Sequence, residues 1–149
     1  QTMKKLILSL VFISTISIQA GHHEMAKDAK SVVKKAYATF ASGDTEAWTA
    51  LHAKDLTFTV FGDIPTTGKH IGPDAVIKNV FEPIAKHWPN FNLEHKAMYS
   101  DGNMVFVHSH MTADGLDTET LHMFKVENGI IQSFTAFDDT GSMAAAVIK

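Results

Sequence analysis

In the stretch FGDIPTTGKHIGPDAV, Asp63 is the carboxylate that stands between an apolar run and a Pro/Gly-rich turn. With Phe61 and Ile64 beside it, such an acid can be desolvated, rise from a reference pKa of about 3.9 and serve as a general base. An aspartate two residues before a proline also commonly shapes a turn by bonding the backbone. His122, flanked by Leu121 and Met123 in a segment that also holds Phe124, reads from its neighbours as a satisfied core or pocket-wall histidine. His70, in the turn Lys69-His70-Ile71-Gly72, reads as an exposed loop residue or one that overhangs a pocket mouth. His108 and His110 lie at i and i+2 of an alternating segment, where two imidazoles can reach one metal. No third ligand is close in sequence beyond the loosely placed Asp114 and Asp117. The alternate positions Val105, Val107, Ser109 and Met111 are the more apolar, which turns both histidines outward with Phe106.

Processing would create another set of donors. Met3-Lys4-Lys5, the apolar run Leu6 to Ile18 and the small-residue exit at Ala20 have the layout of a secretory signal peptide, residues 1–20. That run is shorter than the roughly 20 residues a spanning helix needs, so no stable membrane insertion is expected after cleavage and the protein is expected to be exported, periplasmic or secreted. The new terminus Gly21-His22-His23 could then offer amine, amide and imidazole nitrogens in a plane, a set that suits Cu(II) or Ni(II).

Positioning such residues requires elements of recognisable period. Ala29, Val33, Ala36, Tyr37 and Phe40 recur at helical spacing up to Ser42-Gly43-Asp44, a stop and a new N-cap for a short helix with Trp48 and Leu51. Leu56 to Phe61 reads as a strand. Gly72-Pro73-Asp74 opens a third helix with proline at its first position, and Pro83 should kink or shorten it. Beyond Pro89 the period becomes two: Phe91–Tyr99, Met104–Ala113, Thr118–Val126 and Ile130–Phe137 read as strands, with Asp101-Gly102 and Asn128-Gly129 as hairpin turns. Helices followed by an antiparallel meander make one α+β domain over residues 21–149.

The 149-residue chain has no cysteine, and its 13 basic residues are all lysine. Disulfides and thiol chemistry are thereby excluded, and no planar guanidinium is available for bidentate phosphate recognition. At a formal charge of −3, more acidic still without Lys4 and Lys5, the protein offers no basic face to nucleic acid. No nucleotide-binding glycine pattern or nucleophile elbow occurs, and nothing points to a cofactor.

The element order and three segments, Tyr37-Ala-Thr-Phe-Ala-Ser-Gly-Asp44, Gly68-Lys-His-Ile-Gly-Pro-Asp-Ala-Val76, and Phe124-Lys-Val-Glu-Asn-Gly129 continuing to Phe137-Asp-Asp-Thr140, resemble the nuclear transport factor 2-like superfamily of ketosteroid isomerase and SnoaL-like cyclases. The resemblance implies a cone-shaped fold, three N-terminal helices on a curved, mainly antiparallel sheet, around an apolar pocket. Ketosteroid isomerase uses an aspartate base with an oxyanion hole of tyrosine and protonated aspartic acid. By that correspondence Asp63 takes the base position, nine before Gly72. The tyrosine falls at Ala36, one place from Tyr37, and the buried acid falls at His122. Asp63 and His122 are therefore the catalytic candidates. Tyr37, Phe58, Phe81, Val107, Ser109, Met111, Phe124, Ser133 and Phe137 are the candidate substrate-binding wall, with Phe134 and Asp138 facing out. The resemblance also implies a homodimer, paired through the outer sheet face that bears His108 and His110. Two readings stand: a metal-free acid–base enzyme (isomerase, cyclase or dehydratase-like) acting beside the carbonyl of a small apolar molecule, and a non-catalytic module that binds a hydrophobic ligand in the same pocket.

Overall fold

The computed structural model describes the backbone of residues 15–149 and the side chains of residues 28–149. The expected leader cleavage and the Gly21-His22-His23 nitrogen set lie outside the described side chains.

Helix α1 (Thr15–Ser42) presents Ala29, Val33, Ala36, Tyr37 and Phe40 as one stripe, the first three buried. It stops at Gly43, whose φ of +71° suits a residue without Cβ. The Asp44 carboxylate accepts the Ala47 N–H to cap α2 (Thr45–Ala50). Then come β1 (His52–Val60), β2 (Gly68–Ile71), α3 (Pro73–Val76), α4 (Glu82–His87), β3 (Asn92–Asp101), β4 (Met104–Ala113), β5 (Leu116–Glu127), β6 (Ile130–Asp138) and α5 (Thr140–Ala145). The sheet order is β2-β1-β6-β5-β4-β3, all neighbours antiparallel except β1 and β6, which run parallel. The curved, mainly antiparallel α+β architecture agrees with the sequence reading; β2 and α5 are additions to it.

Two local features decide where side chains point. Between α3 and α4 the helix widens into a π turn, Ile77–Phe81, in which Glu82 N–H reaches back to the Ile77 carbonyl. Pro83, lacking an N–H, follows at the start of α4, so the helix widens ahead of the proline and continues beyond it. Gly72, at φ +83°, opens α3 where a Cβ would lie 3.0 Å from the Lys54 carbonyl oxygen, so the turn accepts only glycine without strain.

The second feature is a bulge in β6. Lys125 pairs with Ser133 but Val126 pairs with Ile131, which leaves Gln132 as an extra residue. One extra residue reverses the side-chain alternation beyond it. Ile131 is buried, as strict alternation requires; past the bulge, Phe134 and Ala136 are buried and Phe137 is 47% exposed. The expectation that Ser133 and Phe137 face inward and Phe134 and Asp138 outward is therefore corrected by one register step.

Between helices and sheet the core is close-packed around Val33, Leu56, Val76, Trp88, Val105, Val107, Met111 and Ile131, each almost fully buried. Burial of each such side chain stabilises the fold by roughly 1.5–3 kcal/mol. Trp88 also donates its indole N–H to the Met143 carbonyl at 3.0 Å, which ties α5 to the end of α4.

Candidate functional site

Helix α1 lays Ala36, Tyr37 and Phe40 over the concave face of the sheet, and Val80 and Phe81 from the π turn close the other side. The remaining walls are mostly aromatic: Trp48, Phe58, Phe91, Phe124 and Phe134. They enclose a narrow cavity of about 80 Å³. A second groove, between the end of α1, α2 and α4, shares Phe40, Trp48, Phe81, Ile84 and Phe91 with it.

Besides Thr66, polar groups meet this apolar space at two places. At the first, Tyr37 Oη lies 2.7 Å from His122 Nδ1, and His122 Nε2 lies 3.6 Å from Asp138 Oδ1. The second distance is a charge contact rather than a hydrogen bond. Thr120 donates its hydroxyl to the same Asp138 oxygen. Strand register explains the assembly: His122 pairs with Ala136 and Thr120 with Asp138 across β5 and β6, so the β6 bulge brings Asp138 under the imidazole. Tyr37 also packs at 4.0 Å between ring centroids on His95, whose Nδ1 bonds the buried Ser109 hydroxyl at 2.8 Å.

Electrostatics divides the roles. Burial, together with the Asp138 charge, pushes the Tyr37 phenol far above its usual pKa, so it stays a neutral donor. Burial alone would raise Asp138, but the His122 imidazole and the Thr120 hydroxyl outweigh it and hold the carboxyl below its usual value. Asp138 is thus an anion at neutral pH.

The second polar place is His52, on β1. It is 7% exposed, stacks on Trp48 at 3.7 Å and bonds the Trp48 carbonyl through Nδ1 at 2.6 Å. Burial lowers its pKa to about 4, against a smaller opposing effect of that bond. The folded value lies below the unfolded value of about 6.5, so the unfolded chain binds a proton that the folded chain refuses. The stability this contributes is complete above pH 6.5 and is lost as pH falls toward 4, by about 3 kcal/mol at most. The urea midpoint should drop between pH 6.5 and 4.5, and drop less in His52→Asn. His95, also lowered by burial, adds in the same direction and His110 opposes, so the difference between the two proteins is the readout; equal slopes would remove His52 as the cause.

Of the residues picked from sequence, Tyr37, Phe58, Phe81, Met111, His122 and Phe124 line the cavity. Val107 and Ser109 are buried on the same face of β4 but are not among the lining residues, and Ser133 and Phe137 point away after the bulge. Asp63 does not share the hollow with His122: it is exposed in the loop that joins β1 to β2 and is not among the lining residues. The acid at the cavity is Asp138. His70 belongs to β2, not a turn, and its Nε2 bonds the Thr66 carbonyl at 3.0 Å. His108 and His110 lie on the outer face of β4, paired with Glu119 and Asp117. Among the described residues no group of three or more metal-binding side chains is assembled. Sequence reasoning missed Asp138 because a bulge leaves no periodic mark, and missed His52 because a histidine at a strand start carries no signal of its own.

Residues 33–134 match the model of the SnoaL-like domain. No curated protein matches the chain. An NTF2-like protein from Burkholderia thailandensis E264 is 24% identical, with a TM-score of 0.72 over 79% of this chain and 95% of its own. A putative SnoaL-like polyketide cyclase from Jannaschia sp. CCS1 is 13% identical, with a TM-score of 0.72 over 83% and 93%. TerC, co-crystallised with polyporic acid, is 14% identical, with a TM-score of 0.71 over 80% and 97%. At these identities the likeness is one of fold.

Proposed function

This chain belongs to the SnoaL-like family, and on that premise we propose that its cavity holds a small, flat, carbonyl-bearing molecule and moves a proton on the carbon beside the carbonyl. The observation that carries this reading is the Tyr37–His122–Asp138 series, with its 2.7 Å bond, set in an otherwise apolar, aromatic-walled cavity. The polyporic acid bound by TerC, a similarly folded protein, is consistent with a ligand of that kind.

The chemistry follows from donor bookkeeping. When His122 is protonated, Nε2–H faces Asp138 and Nδ1–H donates to Tyr37 Oη. The phenol O–H is then released to donate to a ligand oxygen. Thr120 and His122 both address Asp138 Oδ1, which leaves Oδ2 to take the proton from the carbon beside the carbonyl. The electron pair of that C–H bond moves onto the oxygen, where the Tyr37 hydrogen bond stabilises the enolate. Return of the proton from Asp138 to carbon completes an isomerisation or an exchange.

The test is proton exchange on 2-tetralone in deuterated buffer, followed by proton NMR: exchange faster than in buffer alone supports catalysis. Binding without such exchange would leave the second reading, a non-catalytic module that binds a hydrophobic ligand in the same cavity. Export after cleavage at Ala20 belongs to the same proposal, as does a homodimer formed through the outer sheet face, where Phe61 packs on Phe137 at 5.8 Å beside the exposed Leu121.

A further inference from the structure

His52 is a buried titratable group that the proton-transfer scheme does not use. A backbone carbonyl only accepts, so the Nδ1 bonded to the Trp48 carbonyl must carry the ring proton. Nε2 then holds a lone pair. Among the described residues it has no hydrogen-bond partner, and no fully buried side-chain nitrogen or oxygen lacks one, so Nε2 is not sealed off. His52 is itself part of the cavity lining. The stack on Trp48 holds the ring plane, and the Trp48 carbonyl holds the tautomer.

The two polar places lie at opposite ends of one apolar space. His52 pairs with Ile131 on β6, and His122 faces the same strand at Ala136. The separation along the strand is on the order of 13 Å at 3.3 Å per residue, allowing for the bulge. Between them stand Phe124 and Phe134, whose ring centroids are 5.0 Å apart. A ligand that spans this space meets a donor and a carboxylate at one end, aromatic faces in the middle, and a lone acceptor at the other end.

We infer that His52 Nε2 accepts a hydrogen bond from a hydroxyl or N–H group at the end of the ligand remote from its carbonyl, so that the cavity selects elongated, flat hydroxy-ketones over their deoxy analogues. This rests on the reading of the cavity as a ligand site but not on catalysis by Asp138. A site that offers an unpaired acceptor rejects an analogue without the matching donor, because the acceptor is then left buried and unsatisfied.

The experiment uses the full chain and two matched pairs of probes: 6-hydroxy-2-tetralone against 2-tetralone, and 2-hydroxyanthraquinone against anthraquinone. For at least one pair the hydroxylated member should bind about tenfold more tightly. It should also shift the ¹⁵N resonance of His52 Nε2, which in the free protein should be that of an unprotonated ring nitrogen at neutral pH. His52→Asn can keep a donor to the Trp48 carbonyl but draws its acceptor, Oδ1, back from the Nε2 position, and His52→Phe removes donor and acceptor together; the first should weaken the preference and the second abolish it, with binding of the deoxy member retained. The inference is overturned by a proton on Nε2 in the free protein, by no preference in either pair, or by an undiminished preference in His52→Phe. If no probe binds at all, the ligand-site reading falls and takes this inference with it. If the preference is present but 2-tetralone exchange is not, only the catalytic reading falls.

Discussion

Asp138→Asn should lower the rate of 2-tetralone proton exchange by about 10²–10⁴-fold, the usual contribution of a positioned general base, while changing the affinity for the same ketone little. The substitution keeps the size of the side chain, and an amide oxygen can still accept from Thr120, so the strand pairing that holds the residue is preserved. What it removes is the anion, held ionised in the apolar cavity by His122 and Thr120. Tyr37→Phe should slow the exchange as well, since the enolate loses its donor. Asp63→Asn is the informative control: its carboxylate is exposed in the loop after β1, and the rate should not change. Exchange in Asp138→Asn at half the wild-type rate or more would eliminate this carboxylate as the base. A loss confined to Asp63→Asn would return that role to the loop.

The largest loss of stability is expected at Trp88. The indole is fully buried and its N–H bonds the Met143 carbonyl, so it joins α4 and α5 in one contact. Trp88→Ala removes a large apolar surface, opens a cavity that its neighbours cannot fill, and orphans a carbonyl; the expected cost is about 3–5 kcal/mol. Trp88→Phe retains most of the apolar contact but not the donor, and should cost about a third of that. Urea denaturation of the three proteins measures both. Equal midpoints for wild type and Trp88→Ala would mean that α5 and the end of α4 contribute nothing to the cooperative unit.

Much of this architecture is written in short-range pattern. The helical recurrence from Ala29 to Phe40, the cap at Asp44, the Gly72-Pro73 helix start and the period-two strands with their Asp101-Gly102 and Asn128-Gly129 turns each depend on neighbours a few residues apart. The alternation of Val105, Val107, Ser109 and Met111 likewise identifies the inner face of β4, and with it the outward placing of His108 and His110. Part of the site was legible for the same reason. His122 sits on the inward phase of β5, and Tyr37, on the apolar stripe of α1, meets it across the cavity.

Local pattern determined the α+β class, the order of the elements other than β2 and α5, and the inward faces that carry Tyr37 and His122. The acid beside that histidine was decided by tertiary structure. Gln132 is one residue more than β5 can pair, and that single extra residue turns Asp138 inward and Phe137 outward. Asp63 stays in solvent because the chain has to turn through its loop before β2 can pair back on β1. Hydrogen-bond pairing between strands distant in sequence chooses the register, and register, more than composition, chooses which carboxylate reaches the cavity.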